Sequence, residues 1–240
     1  MIAAIIQARM TSSRLPGKVM MDIAGQPLLQ RMIRRVRKAA EVDQILVATT
    51  TNREDNPVAT LCKTLGVPVH RGDEYDVLQR FLDAAESVHA KTVIRLTADC
   101  PMIDPDVIDD AVRLFQGGQE YDYVSNIIER TYPDGLDVEV FSTSSLRDAN
   151  REATLPYQRE HVTPWLHGLR LDVPAGDYNR GHLVFASDFS HIRWTVDHLE
   201  DLERVRNLVA HLPEDFNWLD ALSLATKNPA LLGLSLVEDK

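Results

Sequence analysis

Residues 2–18 read IAAIIQARMTSSRLPGK. The five apolar residues Ile2 to Ile6 are followed directly by a polar loop that carries three cations, Arg9, Arg14 and Lys18. A short apolar run without polar alternation predicts a strand that is buried on both faces, as in parallel sheets. Because ligands bind at the carboxyl ends of the strands in such sheets, we expect this loop to border a binding cleft.

Similar apolar runs recur along the first half of the chain, and segments with helical periodicity separate them. The further predicted strands are Ile45 to Ala48, Val67 to Val69 and Val93 to Leu96. The predicted helices are one that begins after Pro27, then Pro57 to Leu65, Asp76 to His89 and Pro105 to Phe115. The order βαβαβαβ indicates an α/β protein with a mostly parallel central sheet and right-handed crossovers.

After about Asn126 the pattern changes to isolated short elements. We predict a strand at Val138 to Phe141 and helices at Ser144 to Ala153, Tyr157 to Leu169 and Leu199 to Leu212. Since no Ser/Gly/Pro-rich linker, repeat or low-complexity segment occurs, residues 1–240 are expected to form a single domain. A segment of roughly residues 127–190 could leave the sheet as an acceptor wall or a dimer contact.

The composition excludes several functional classes. The chain has 26 Lys and Arg against 36 Asp and Glu, a net charge of −10, so it lacks the basic surface of a general nucleic-acid binder. Two cysteines, Cys62 and Cys100, cannot build a disulfide framework or a four-cysteine zinc site. With no signal-type or membrane-spanning segment apparent, we expect a cytoplasmic protein without a membrane partner.

The loop after the first strand has the chemistry of a triphosphate cradle. Arginine forks, backbone amides and the hydroxyls of residues 11–13 suit phosphate oxygens. The loop is not a Walker A motif, and no G-x-G-x-x-G occurs. A solvated loop with ordinary surface charges is the alternative. The later cations Arg31, Arg34, Arg35, Arg37 and Lys38 lie mainly opposite the apolar face of the first helix, where we expect a solvated surface.

Two aspartates follow apolar stretches. Asp99 ends Val93 to Ala98, and Asp197 ends Ile192 to Val196. Mg²⁺ takes one or two protein carboxylates and completes its shell with water and phosphate oxygens, so this pair facing the loop would suit it. A helix N-cap or a strand-end turn is the alternative for each. Asp104 and Asp106 are interpreted as the start of the following helix.

Several blocks together resemble a known family, the SpsF type of cytidylyltransferase. They are QARMTSSRLPGK at Gln7 to Lys18, ATTT at Ala48 to Thr51, RGD at Arg71 to Asp73, TADCP at Thr97 to Pro101, YPDGLDVEV at Tyr132 to Val140, REHVT at Arg159 to Thr163 and TVDHLEDL at Thr195 to Leu202. The wider group includes the synthetases of CMP-Kdo and CMP-sialic acid. The resemblance implies a Rossmann-like nucleotide-diphospho-sugar transferase fold of GT-A type, a Mg²⁺-dependent reaction and a homodimer.

Carried over to this chain, the resemblance assigns nucleotide contacts. The triphosphate loop would be Ala8, Arg9, Ser13, Arg14 and Lys18, with Asp99 and Asp197 as metal ligands. The nucleobase would be bordered by Thr49, Thr50, Arg71 and Gly72. In the Kdo-activating relatives a Gly-Thr-Asp-Arg run helps to hold the base. Here residues 72–77 read GDEYDV, without that Arg, so either Arg80 takes its place or the base contact differs.

The implied reaction is attack by a sugar hydroxyl on the α-phosphate of CTP, which yields a CMP-sugar and pyrophosphate. Positioning and charge neutralisation dominate such transfers, so Arg9, Arg14, Lys18 and Asp99 are the expected catalytic groups. The acceptor is expected to be a sugar acid, such as a 2-keto sugar acid, used for surface polysaccharide or glycan biosynthesis. Its candidate contacts are Gly135, Asp137, Glu139, Arg159, Glu160 and His161. Among these, Arg159 could clamp a carboxylate, and Glu139 or His161 could accept the hydroxyl proton.

Two other functions remain as alternatives. A glycosyltransferase on the same fold would use an Asp-x-Asp motif, which Asp104 to Asp106 matches formally. A nucleotide-binding module without catalysis is the second. A zinc hydrolase has little support, because none of the eight histidines forms H-E-x-x-H. The apolar run Leu231 to Leu236 would close the core or a dimer interface.

Overall fold

The computed structural model describes residues 1–232. A seven-stranded sheet has the order β5-β4-β1-β6-β8-β7-β9, and a two-stranded hairpin, β2-β3, lies outside it. The strands are β1 (Ile2–Gln7), β2 (Asp22–Ile23), β3 (Gln26–Pro27), β4 (Gln44–Thr50), β5 (Val69–Gly72), β6 (Thr92–Thr97), β7 (Tyr123–Ser125), β8 (Glu139–Ser142) and β9 (Arg180–His182). The helices are α1 (Leu28–Val36), α2 (Asn56–Thr64), α3 (Val77–Ser87), α4 (Pro105–Gln116), α5 (Thr143–Glu152), α6 (Pro156–His161), α7 (Pro164–His167), α8 (Leu199–Ala210) and α9 (Trp218–Lys227).

The sheet is mostly parallel, as the βα alternation predicts. β1 pairs in parallel with β4 on one side and with β6 on the other. β8 runs antiparallel to both of its neighbours, β6 and β7. The predicted α/β class with a mostly parallel central sheet is therefore confirmed.

Strand β1 explains why its sequence is apolar without alternation. Ala4 and Ile6 belong to the core on one face of the sheet, together with residues of α1, α4, α8 and α9. Ala3 and Ile5 belong to the core on the other face, with α3 and α5. Because both faces are covered, every position between Ala3 and Ile6 is buried.

Two predicted elements have different boundaries. The strand predicted at Val67 to Val69 instead begins at Val69 and ends at Gly72. Pro68 explains the shift, because it has no N–H to contribute to the ladder with β4. The helix predicted over Tyr157 to Leu169 is wrong as one element: α6 ends at His161, Val162 has a φ of +69°, and Pro164 begins α7. A proline at that position cannot supply the hydrogen bond of a continuous helix.

Four short strands and the helix α9 were not predicted. The strands β2, β3, β7 and β9 have two or three residues each, too few to show a period. Helix α9 begins at a capping box in which Asn217 and Asp220 each accept from the other's backbone N–H. This box is visible in the sequence but was not used in the prediction.

Residues 127–190 do not leave the sheet as a whole, contrary to that expectation. Strands β8 and β9 of this segment belong to the seven-stranded sheet, and α5 and α6 pack against α3. Their position brings α6 to the edge of the cleft described below.

The expected solvated surface of the first helix is wrong for two of its arginines. Arg31 is 7% exposed and Arg35 is 5% exposed, whereas Arg34 is exposed. Arg35 donates to the carbonyls of Ile103 and Phe216 and lies 3.4 Å from Asp104. The helical pattern could not show this, because the partners of Arg35 lie 68 or more residues away in the chain.

No helix within residues 1–232 combines the length and the apolarity needed to cross a lipid bilayer. Of the apolar run predicted at the end of the chain, Leu231 and Leu232 pack against the main core, and residues 233–236 lie outside the described residues.

Candidate active site

A cleft of about 360 Å³ opens at the carboxyl ends of β1 and β6. Three segments supply most of its wall: the loop after β1, the end of β6 with Asp99, and the last residues of α6. Asp197 closes the wall at the side of the loop. The lining residues are Gln7, Ala8, Arg9, Ser12, Ser13, Arg14, Lys18, Val19, Val77, Arg95, Thr97, Ala98, Asp99, Glu160, His161 and Asp197.

The cationic loop is held by buried backbone contacts. The amide of Met10 donates to Oδ1 of Asp55 at 2.6 Å, and Asp55 is fully buried. Gly17 donates to the carbonyl of Met10 at 2.8 Å and adopts a φ of +74°, which glycine tolerates best. This turn directs Lys18 inward. Asp55 was not among the predicted site residues, since nothing in its local sequence marks a partner 45 residues away.

Lys18 brings the two predicted aspartates together. Its ammonium lies 3.0 Å from Oδ1 of Asp197 and 3.5 Å from Oδ2 of Asp99, and it donates to the carbonyl of Val196 at 2.8 Å. Burial opposes ionisation of Asp99, but the Lys18 ammonium and the Thr97 hydroxyl stabilise its carboxylate, so the pKa of Asp99 lies below its ordinary value. Asp99 is therefore charged at neutral pH.

Asp197 accepts from two further cations. Arg14 contacts its Oδ1 at 2.7 Å, and Arg193 contacts its Oδ2 at 2.6 Å. Arg193 also bonds Asp201 at 2.7 Å, and Asp201 accepts from the amide of Asp197. Arg193 and Asp201 were not predicted, although both lie within four residues of Asp197 in the sequence.

The apolar stretch before Asp197 is not a strand of the sheet. Residues 192–196 form no named strand, and their recorded ladder contact is one parallel bridge between Asp134 and Arg193. Backbone bonds fix this stretch: the amide of Val196 donates to the carbonyl of Asp99, the amide of Trp194 donates to the carbonyl of Asp134, and the amide of Asp134 donates to the carbonyl of Ile192. Asp197 reaches the cleft through these contacts rather than through the sheet.

Gly135 supports this stretch and does not line the cleft. It has a φ of +113°, and a Cβ added there would lie 2.9 Å from the carbonyl carbon of Trp194. The glycine therefore permits a close approach between two backbone segments. Gly135 was predicted as an acceptor contact, but it packs against the backbone of the stretch that carries Asp197.

The remaining loop residues line the cleft as expected. Arg9 lies 3.7 Å from Glu74, and Ser13 and Ala8 contribute to the wall. Glu74 also accepts from the side chain of Asn52 at 2.6 Å, so it connects Arg9 with the loop after β4.

The predicted nucleobase residues lie outside the lining of this cleft. Thr49 and Thr50 are fully buried. Arg71 donates to the carbonyls of Thr50 and Asn52 at 2.7 Å each, which holds the loop after β4 closed. Arg80 is 1% exposed and packs under Gly72, whose added Cβ would lie 3.0 Å from Cγ of Arg80. Arg80 donates to the carbonyl of Asp73, while its Nε and Nη2 have no partner among residues 1–232.

The predicted acceptor residues divide into two groups. Glu160 and His161 line the cleft. Arg159 instead forms two bonds to Asp76, at 2.9 and 2.6 Å, and Asp137 forms two bonds to Arg130, at 3.0 and 2.9 Å. The structure therefore does not bring Arg159 and Asp137 into the wall of the cleft.

Glu139 is buried behind another arginine, Arg95. The two form an ion pair across β8 and β6, and the Tyr123 hydroxyl donates to Glu139 at 2.7 Å. Burial opposes ionisation of Glu139, but Arg95 and His167 outweigh it, so the pKa of Glu139 lies below its ordinary value. As a charged, paired group, Glu139 is poorly suited to accept a proton from a substrate. Arg95 lines the cleft and was missed, although its position two residues before Thr97 places both on one face of β6.

His161 has the protonation state of a base. Burial lowers its pKa from the ordinary value of 6.5, with a partial opposing effect of Glu160 and further lowering by Arg95 and Arg9. The imidazole is therefore mostly neutral at pH 7, with a ring nitrogen able to accept a proton.

The Asp-x-Asp string does not form a metal site. Asp104 is fully buried, where it caps α4 by accepting from Asp106 and also accepts from the amide of Trp218. Its pairing with Arg35 completes its contacts. The interpretation of Asp104 and Asp106 as a helix start is confirmed, and the glycosyltransferase alternative loses the motif on which it rested.

A mostly parallel α/β sheet, with a cationic loop and Asp99 at its carboxyl edge and Asp197 brought opposite them, defines the class of nucleotidyltransferases with a nucleotide-diphospho-sugar transferase fold. The family model described as cytidylyltransferase matches residues 3–221. The chain belongs to the cytidylyltransferase family and is a CTP-dependent nucleotidyltransferase, as the sequence blocks predicted.

Three relatives illustrate the match. The spore coat polysaccharide biosynthesis protein SpsF of Bacillus subtilis strain 168 is 34% identical, over 95% of each chain. A cytidylyltransferase structure from Leptospira borgpetersenii is 31% identical, covers 99% of each chain and has a TM-score of 0.90. The 3-deoxy-manno-octulosonate cytidylyltransferase of Anaeromyxobacter sp. strain Fw109-5 is 26% identical, over 89% of this chain and 99% of its own.

Proposed function

We propose that this protein activates a sugar acid, by attack of a sugar hydroxyl on the α-phosphate of CTP, to give a CMP-sugar and pyrophosphate. The observation that carries the proposal is the convergence of Arg14 and Lys18 with Asp99 and Asp197 in one cleft. Similarity to SpsF and to a 3-deoxy-manno-octulosonate cytidylyltransferase supports a sugar acceptor. The product would serve surface polysaccharide or glycan biosynthesis.

The cations of the loop would bind the triphosphate. Arg9, Arg14 and Lys18 lie on one loop, and all three are paired with carboxylates: Arg9 with Glu74, and Arg14 and Lys18 with Asp197. When CTP enters, its β- and γ-phosphate oxygens would replace these carboxylates as partners of Arg14 and Lys18. The same cations would then neutralise the negative charge that develops on pyrophosphate as it leaves.

A divalent cation such as Mg²⁺ fits the two aspartates. Within the described part of the chain no cluster of three His, Cys, Asp or Glu residues forms a complete metal site. Asp99 and Asp197 nevertheless approach one ammonium group, and Mg²⁺ commonly takes two carboxylates with water and substrate phosphate oxygens. When bound, the ion would neutralise charge on the α-phosphate. Displacement of Lys18 and Arg14 toward the phosphates would free Asp99 and Oδ1 of Asp197 for it, while Arg193 keeps its contact with Oδ2 of Asp197.

The acceptor would lie between the end of β6 and α6. His161 would accept the proton of the attacking hydroxyl, because it lines the cleft and is mostly neutral at pH 7. Glu160 would accept hydrogen bonds from acceptor hydroxyls. A homodimer, which the family resemblance implies, completes the proposal, with residues 127–190 as a candidate acceptor wall or dimer contact.

The test is a pyrophosphate-release screen of the purified protein. CTP, UTP, GTP and ATP are crossed with 2-keto sugar acids and neutral sugars, each with Mg²⁺ and with EDTA. The expected result is release that requires CTP, a sugar acid and the metal ion together. Turnover of an already activated sugar without pyrophosphate release would indicate the glycosyltransferase, and nucleotide binding without turnover of any acceptor would indicate the non-catalytic module.

A further inference from the structure

Arg95 is the arginine of the cleft that comes from the sheet itself rather than from the loop after β1. Its side chain is 13% exposed and lines the cleft. The ion pair with Glu139 holds it, and the Tyr123 hydroxyl holds Glu139 in turn. Both supporting residues are buried: Tyr123 is fully buried, and Glu139 is 3% exposed. The guanidinium is thus fixed before any substrate arrives.

The ion pair with Glu139 leaves two other N–H positions of Arg95 without a close hydrogen-bond partner. Glu139 accepts from Nη1 of Arg95. Nη2 has a long contact of 3.5 Å with Oε1 of Gln7, and Nε has no hydrogen-bond partner within residues 1–232. Nε and Nη2 form one edge of the guanidinium, whose two parallel N–H groups match the two oxygens of a carboxylate. A buried donor without a partner is unfavourable, and a ligand oxygen would remove that cost.

The position of Arg95 separates it from the triphosphate cations. Those cations lie on the loop after β1, whereas Arg95 is bonded toward β8, on the other side of β6. Arg95 is also close enough to His161 to help lower its pKa. Arg9 lowers that pKa too. Arg95 and the candidate base both line the cleft. Since Glu139 balances its charge, Arg95 adds directional donors there rather than a further net cation for the triphosphate.

We propose that Arg95, positioned by Glu139 and Tyr123, binds the carboxylate of an acidic acceptor and selects it over neutral sugars. The inference rests on the proposed cytidylyl transfer and names the group that sets its acceptor class. Arg159 was expected to clamp the carboxylate, but its Nη1 donates to the carbonyl of Asn150 and its Nη2 donates to Asp76. Arg95 therefore takes its place in this proposal.

The test compares Arg95→Gln and Arg95→Lys with the wild type. Arg151→Gln is the matched control, because Arg151 is 67% exposed on α5 and pairs with Asp148 and Glu152. Steady-state pyrophosphate release is measured with the best sugar acid of the screen and with its neutral methyl ester. Calorimetry then measures binding of CTP and, without turnover, of 3-deoxy-manno-octulosonic acid.

Arg95→Gln is expected to raise KM for the acid about 10- to 100-fold, because one charge-assisted contact is lost. CTP binding should stay within about twofold, and the preference for the acid over the ester should disappear. Arg95→Lys should recover part of the preference, since it keeps the charge without the fork. Tyr123→Phe should raise KM for the acid less than Arg95→Gln does.

Two results would overturn the inference while cytidylyl transfer stands: a wild type that prefers neutral acceptors, or an Arg95→Gln effect that falls on CTP or equally on acid and ester. If no acceptor is turned over, the proposed function fails, and the binding arm decides alone. Binding of the acid that Arg95→Gln weakens then supports carboxylate recognition, and the absence of any difference from the wild type overturns it.

Discussion

The ammonium of Lys18 lies 3.0 Å from Oδ1 of Asp197, a residue 179 positions later in the chain. The same ammonium contacts Asp99 at 3.5 Å. One cation thus occupies the position between two carboxylates that face the cleft. Its exchange from carboxylate to phosphate partners, together with that of Arg14, would couple nucleotide binding to the release of Asp99 and of Oδ1 of Asp197 for a metal ion.

Lys18→Ala and Asp99→Ala are each expected to lower kcat/KM by about 10²- to 10³-fold or more, because Lys18 is the proposed partner of the phosphates and Asp99 a proposed ligand of the metal ion that neutralises them. Circular dichroism should show that both variants remain folded. Lys63→Ala, an exposed position on α2, is the control and should keep normal activity. Pyrophosphate release near the wild-type rate in both active-site variants would refute the assignment.

Gly135→Ala is expected to lower the free energy of unfolding by at least about 2 kcal/mol, since it adds a Cβ at a positive φ against the backbone of Trp194. Activity should fall as well, because the displaced stretch carries Asp197. Gly25→Ala is the control: it also has a positive φ, of +83°, but no atom lies within 4 Å of its added Cβ. That change should cost only about 1 kcal/mol. Urea denaturation measures both, and equal losses would contradict the steric argument.

Asp104→Ala is expected to destabilise the protein by about 3–5 kcal/mol, because Arg35 would remain buried without its carboxylate partner. Per folded molecule, kcat should stay near the wild-type value. Asp106→Ala, at an exposed position, should change stability by less than about 1 kcal/mol. A loss of kcat in Asp104→Ala that exceeds the loss of folded protein would revive the Asp-x-Asp metal role.

The pH dependence of turnover should report His161. A base must be neutral, so kcat/KM is expected to fall as pH drops through the pKa of His161, which lies below 6.5 in the folded protein. His161→Gln should lower kcat/KM by about 10²- to 10⁴-fold and remove this acidic limb. His191→Gln, at an exposed position, should leave the profile unchanged. If the limb persists in His161→Gln, another group titrates.

Much of the fold follows from local pattern. The apolar runs predicted β1, β4 and β6, and the helical periods predicted α1 to α4, because buried parallel strands and amphipathic helices show their environment in the residues themselves. The prediction of one helix at Tyr157 to Leu169 was wrong because Pro164 cannot supply the backbone hydrogen bond of a helix interior. The two- and three-residue strands failed because their pairing depends on neighbours that are distant in the chain.

The site shows the same division. Loop cations and an aspartate after a strand are recognisable locally, so Arg9, Arg14, Lys18 and Asp99 were identified from the sequence as lining one cleft. Arg95 and Arg193 were missed, since an arginine in a strand or beside an aspartate has no local mark of function. Arg159 is the opposite case. Its sequence motif predicted a site residue, but its guanidinium is bonded to Asp76.

The sequence by itself determined the α/β class, the cationic loop and the family, because each depends on the kind and order of residues within short segments. Only the tertiary structure decided which charges meet. Ion-pair partners such as Lys18 and Asp197 are chosen by strand order and backbone approach across nearly the whole chain. The same packing fixed Arg95 beside Glu139 in the wall of the cleft and buried Arg35 against Asp104 away from it.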